Sequence, residues 1–117
     1  MNLEQVYQFF RNPQPAYLRP EVAVCYVLSV LVEQESYATE LSKRLNSKYP
    51  HYQLSDTVLY TALKFLEAEN AITGYWKKVP RRGRPRRMFK LNPEWSKARD
   101  LADFWQNQNS LIGKQVS

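Results

Sequence analysis

Five guanidinium groups crowd into the seven residues Arg81-Arg82-Gly83-Arg84-Pro85-Arg86-Arg87. Each guanidinium is a planar fork of N–H donors that fits phosphate oxygens. The glycine between Arg82 and Arg84 lets backbone approach a ligand closely, and flanking arginines follow the negative potential of a narrow A·T minor groove. Lys77, Lys78 and Lys90 extend the cluster, so the segment 70–93 carries eight basic residues and no acidic one. The chain as a whole has 17 basic and 11 acidic residues, net +6. Without that segment, 9 basic residues face 11 acidic ones, or −2. One short strip therefore makes the protein basic, and a polyanion is the partner such a strip serves, because each neutralised phosphate releases condensed counterions.

Other chemistry is poorly provided for. His51 and Cys25 each stand alone, and a metal centre needs more imidazole or thiolate than that. A nucleophile needs a paired and oriented base, which a single histidine does not supply. An enzyme is not expected, nor a metal or cofactor. Cys25 sits in the apolar run 22–28 and reads as a small buried hydrophobe. One cysteine cannot form an internal disulfide and fits a reducing compartment. No run approaches the roughly 18 apolar residues of a membrane span. The stretch Met1–Gln5 lacks the plan of a signal peptide. The expectation is a cytoplasmic protein with no membrane partner. At 117 residues with 44% hydrophobic and 14% aromatic content, the chain reads as one domain with a small but real core.

Positioning the strip falls to elements that can be read from periodicity. Leu3, Val6, Tyr7 and Phe10 recur at helical spacing, giving an N-terminal helix within 1–11. Asn12-Pro13-Gln14-Pro15 breaks it. Pro20 opens a second helix, to about Gln34, apolar on most sides. Ser36 can cap the next, with Glu40 near its start; Tyr37, Ala38, Leu41 and Leu45 form its buried stripe, and Tyr49-Pro50 ends it. Ser55 or Asp56 can cap a helix running to about Asn70. On its wheel Thr57, Tyr60, Thr61 and Lys64 share one arc of about 100°, opposite Val58, Leu59, Ala62, Leu63 and Leu66. Such a face offers flexible donors and acceptors suited to phosphates and base edges; an ordinary solvated face is the plain alternative. Ile72–Val79 and Arg87–Leu91 read as strands. They form a hairpin with the arginine cluster at its tip. Asn92-Pro93 then caps a last helix from about Glu94, with a broad apolar band.

Helices, then a hairpin, then a helix is the order of a winged helix-turn-helix: mainly α with a small β-hairpin and extra N- and C-terminal helices. Within it, Tyr37-Ala38-Thr39-Glu40-Leu41, the run Leu59–Glu67 and the run Arg82–Leu91 resemble the PadR-like transcriptional regulators. In that family a tyrosine-bearing second helix, a recognition helix and a "G-R-x-R" wing come in this order. The likeness covers about Pro20 to Trp95. The family's glycine at the exit of the recognition helix is Asn70 here, which can also take a left-handed conformation.

The resemblance implies a dimeric DNA-binding repressor acting on circadian clock genes, in a bacterial cytoplasm and associated with the nucleoid. Its division is a winged-helix core over 20–92 and a C-terminal dimerisation helix over 93–112. The expected contacts to duplex operator DNA are Ser55, Thr57, Tyr60, Thr61 and Lys64 on the reading helix, with Lys77, Lys78, Arg81, Arg82, Arg84, Arg86 and Arg87 on the wing. The last helix, through Trp95, Ala98, Leu101, Ala102, Phe104 and Trp105, is expected to form a homodimer seam; intramolecular core is the other use of its apolar band. Some relatives hold aromatic effectors between tryptophans of this helix. Here Trp95 reads as packing and no small-molecule effector is expected. A winged helix used for protein or RNA contact remains the rival class. Five arginines in seven residues speak against a protein partner, and the deep A-form groove against RNA.

Overall fold

The computed structural model describes residues 2–5, 16–79 and 83–116. A helical turn at 3–5 is closed by Asn2, whose Oδ1 accepts from Gln5 N at 2.8 Å while Gln5 Oε1 accepts from Asn2 N at 3.1 Å. Reciprocal capping of this kind satisfies two donors at a helix start. The rest of the expected Leu3–Phe10 helix lies outside the described residues.

The elements then run β1 (Ala16–Tyr17), α1 (Pro20–Leu31), α2 (Ala38–Lys48), β2 (Tyr52–Gln53), α3 (Asp56–Ala68), β3 (Ile72–Lys77), β4 (Arg86–Leu91) and α4 (Ala98–Val116). Pro20 takes the first helical position of α1, as its fixed φ and missing N–H favour. Eight of the twelve α1 residues are buried, so α1 is the central helix, with α3 and α4 against it. Leu28, Leu41, Leu45 and Leu66 are fully enclosed, each contributing on the order of 2 kcal/mol of apolar burial. Tyr26 crosses from α1 to α2 and donates its hydroxyl to the Leu41 carbonyl at 2.6 Å.

Ser55 is the N-cap of α3, its Oγ accepting from Val58 N at 3.1 Å. The helix exits at Asn70, which has φ +60° and is the one left-handed non-glycine among the described residues. Asparagine tolerates that region far better than branched residues do. β3 and β4 pair antiparallel, from Ile72 opposite Leu91 to Lys77 opposite Arg86. Ser36 adds an isolated bridge to Phe89 on the other side of β4: Phe89 N donates to Ser36 O at 2.8 Å and Ser36 N to Phe89 O at 3.2 Å.

Four expectations change. Ser36 is not the cap of α2; that place belongs to Tyr37. Ser36 is buried, its Oγ donating to Glu40 Oε1 at 2.7 Å, because its backbone is needed for the bridge to β4. Within the α2 stripe Leu41 and Leu45 are buried, but Tyr37 is half-buried and Ala38 exposed. α4 starts at Ala98 rather than Glu94, since Asn92 is engaged elsewhere: its Nδ2 donates to Asn70 O at 2.7 Å and its Oδ1 accepts from Thr73 Oγ1 at 2.5 Å. Asn92 thus ties off the hairpin instead of opening a helix. Finally, β1 and β2 form a short parallel pair, Ala16 opposite Tyr52 and Tyr17 opposite Gln53, where no strand was expected.

Candidate nucleic-acid interface

The cap at Ser55 sets the direction in which α3 leaves the preceding turn, and burial of Leu59, Ala62, Leu63 and Leu66 sets its roll. What remains outward is the arc read from the sequence: Thr57, Tyr60, Thr61 and Lys64 are all exposed. Tyr60 is 63% exposed, with Lys64 Nζ 5.4 Å from its ring centroid. A cation so placed is held near the ring without being neutralised. Thr61 donates its hydroxyl back to Thr57 O at 2.9 Å, leaving oxygen lone pairs for an outside donor. Ser55 is half-buried and its oxygen already caps α3.

These residues do not all face one way. Tyr60, Lys64 and Glu67 border a cleft of about 380 Å³ between α3, the start of α2 and β4, with Tyr37, Arg86 and Arg87 on its other walls. Thr61 borders a second, apolar groove of about 460 Å³ on the far flank, between α3, α1 and α4. The exposed face of α3 is therefore a ridge between two hollows, one charged and one apolar.

The cationic strip divides as well. Lys77, Lys78, Gly83, Arg84 and Pro85 are exposed along the outer wing. Arg81 and Arg82 lie outside the described residues. Arg86 and Arg87, at the loop end of β4, are half-buried and engaged within the chain. The Arg86 guanidinium carbon lies 3.8 Å from the centroid of the Tyr37 ring. Arg87 Nη2 donates to Glu67 Oε2 at 3.2 Å. Local charge density could not separate these two from their neighbours, because their partners are 49 and 20 positions away.

Several residues of this surface carry no local signal in the sequence. Trp76 projects from β3 at 63% exposure. Tyr37 forms the floor under Arg86. Glu67 places a carboxylate in the charged cleft. Tyr75 donates its hydroxyl to Glu35 Oε1, bracing β3 against the turn after α1; that bond holds the phenol above its ordinary pKa.

The expected dimer seam is largely spent inside the subunit. Ala98 and Ala102 are buried against the core, and Trp105 is 1% exposed. The Trp105 indole packs edge-on against Tyr26 and Tyr49, centroids 5.2 Å apart in each case, and beside Tyr52 at 5.4 Å. A small domain fills its core first, and α4 supplies the large ring that closes it. Trp95 and Leu101 are half-buried against that core, and Phe104 is 62% exposed. Among the described residues no helix is long and apolar enough to cross a membrane, and no group of three or more metal-ligating side chains occurs.

With this geometry in hand, known proteins place the chain. No curated protein matches it. Among solved structures it is 57% identical to the circadian clock associated protein Pex from Anabaena, over 97% of this chain and 99% of that one, with a TM-score of 0.86. It is 56% identical to Pex from Synechococcus, over 94% and 99%, with a TM-score of 0.89. A transcriptional regulator from Clostridium thermocellum follows at 27% identity, 83% and 95% coverage and a TM-score of 0.62. Residues 27–99 match the "Transcriptional regulator PadR-like family". That span contains α2, α3 and both strands of the hairpin, so the chain belongs to the PadR-like family of winged-helix transcriptional regulators.

Proposed function

We propose that this protein is a homodimeric repressor that reads duplex DNA with α3 and grips it with the wing, acting on circadian clock genes. The observation that carries the DNA reading is that Tyr60 and Lys64 of the exposed α3 face and Arg86 and Arg87 of the basic hairpin border one cleft. Thr57, Tyr60, Thr61 and Lys64 enter the major groove, with Ser55 at the mouth of the helix. Lys77, Lys78, Arg81, Arg82 and Arg84 follow the backbone and the adjacent minor groove. Engagement of about four to six phosphates per subunit gives a log–log salt slope near −4 to −5. A clock-gene target is supported by likeness to a protein described as circadian clock associated, and repression rests on the resemblance drawn from the sequence motifs. Pairing of subunits is supported by the exposed phenyl rings of Phe65, which lines the apolar groove beside α4, and of Phe104 on α4 itself. A small-molecule effector has no part in this reading.

Selection of bound duplexes from a random pool at near-physiological salt tests it. An enriched palindrome would establish site, dimer and half-site spacing together; binding without enrichment, or preference for RNA, would reject it. Changing Arg82 and Arg84 to Ala should flatten the salt slope by about 2 per subunit. An unchanged slope would remove the wing tip from the interface.

A further inference from the structure

Arg87 has the same formal charge as the rest of the wing but a different setting. Its guanidinium reaches the last turn of α3, where Nη2 meets Glu67 Oε2 at 3.2 Å. Two aromatic rings flank it, with centroids 5.4 Å (Trp76) and 5.8 Å (Phe89) from Cζ. Space has been cleared for it on β3: a Cβ at Gly74 would lie 2.7 Å from Nη2 and 2.9 Å from Cζ. Gly74 does not have a positive φ, so the glycine is there for room and not for its backbone. Glu67 is otherwise hard to account for. It is the one carboxylate lining the charged cleft, where an unpaired acid would repel a polyanion.

A two-stranded hairpin is marginal by itself, so its angle to the body must be fixed by contacts between its strands and the helices beside it. We propose that Glu67, Arg87 and Gly74 form a latch setting the angle between wing and reading helix, with Arg87 a positioning residue and not a phosphate contact. This rests on the DNA-binding reading above, since the angle matters because both elements must meet one duplex.

The two ideas separate experimentally. With Cys25→Ser to clear the native thiol, spin labels at Ala68 and Lys78 report the distance from α3 to the wing without DNA. The distribution should be narrow in the parent and broaden with Glu67→Gln and with Gly74→Ala; equal widths would overturn the latch whether or not DNA binds. With a selected duplex, Glu67→Gln and Arg87→Ala should each weaken binding about three- to fivefold, as expected for a half-exposed ion pair, at unchanged salt slope. Removing an acid beside DNA would strengthen binding if Glu67 acted by charge alone, so tighter binding by Glu67→Gln would overturn the proposal. So would a slope that falls by about 1 in Arg87→Ala, the mark of a lost phosphate contact. The double exchange Glu67→Arg with Arg87→Glu keeps net charge and should recover affinity relative to either single reversal. Failure of the parent to bind any duplex would reject the DNA reading, with the label distances still deciding the latch.

Discussion

Around Trp105 the helical body gathers three tyrosine rings onto one indole and leaves 1% of it exposed, while the outer wing leaves Trp76 63% exposed. The body is held by burial: α1 is enclosed, and Leu41, Leu45 and Leu66 close over it. The wing buries Ile72, Met88 and Phe89 at its root and is otherwise held by polar and cation–π contacts. Burial is worth kilocalories per side chain, whereas a half-exposed ion pair is worth a fraction of one. Stability therefore resides in the body and the capacity for polyanions in the wing, so changes in one should leave the other's readout alone.

The largest test of that separation is Trp105→Ala. Removing a fully buried indole from the centre of α4's packing should cost about 3–5 kcal/mol in denaturant unfolding. The fraction that stays folded should keep the parent's salt slope. A changed slope would mean that the body shapes the wing directly.

Alkaline pH tests the body more gently. Burial raises the hydroxyl pKa of Tyr26 well above its ordinary value near 10, and burial raises that of Tyr52 too. Above pH 10 the unfolded chain ionises these phenols while the folded chain keeps them protonated. The unfolded state then binds fewer protons, so stability falls as pH rises further. Below pH 10 this contribution is fully present. Tyr26→Phe should be about 1 kcal/mol less stable at neutral pH, having lost the hydrogen bond to the Leu41 carbonyl, yet should lose less on going to pH 11. A parallel decline in both proteins would remove Tyr26 as the source.

The smallest effect expected is at the start of α3. Ser55→Ala deletes the cap of α3 and should cost about 1 kcal/mol. Its DNA affinity should fall no further than that if the hydroxyl's work is structural. A tenfold loss of affinity without loss of stability would show that Ser55 also touches DNA.

The element order, the roll of α3 and the hairpin were legible because each follows from short-range rules. Apolar spacing placed Leu59, Ala62, Leu63 and Leu66 inward, and Asn70 took the left-handed turn its side chain tolerates. What could not be read depends on distant partners. Nothing near Arg87 says that Glu67 claims it, and nothing near Ser36 says that Phe89 needs its backbone. The apolar band of α4 was visible, but an apolar band is the same whether it closes its own core or a partner's. Geometry decides for Trp105, which finds Tyr26, Tyr49 and Tyr52 in its own chain. The β1–β2 pair was missed because two-residue strands have no period to detect.

The bridge from Ser36 to Phe89 has one more consequence. It covers β4 at Phe89 on the side away from β3, so among the described residues the less protected edge of the hairpin is that of β3. Open strand edges invite other chains to pair with them and start aggregation, and lysines are a common guard. β3 ends in Lys77, followed by Lys78, both exposed. Charge that, in the proposed function, draws nucleic acid toward the wing also keeps one wing from adding to another, so neutralising those lysines should cost solubility as well as affinity.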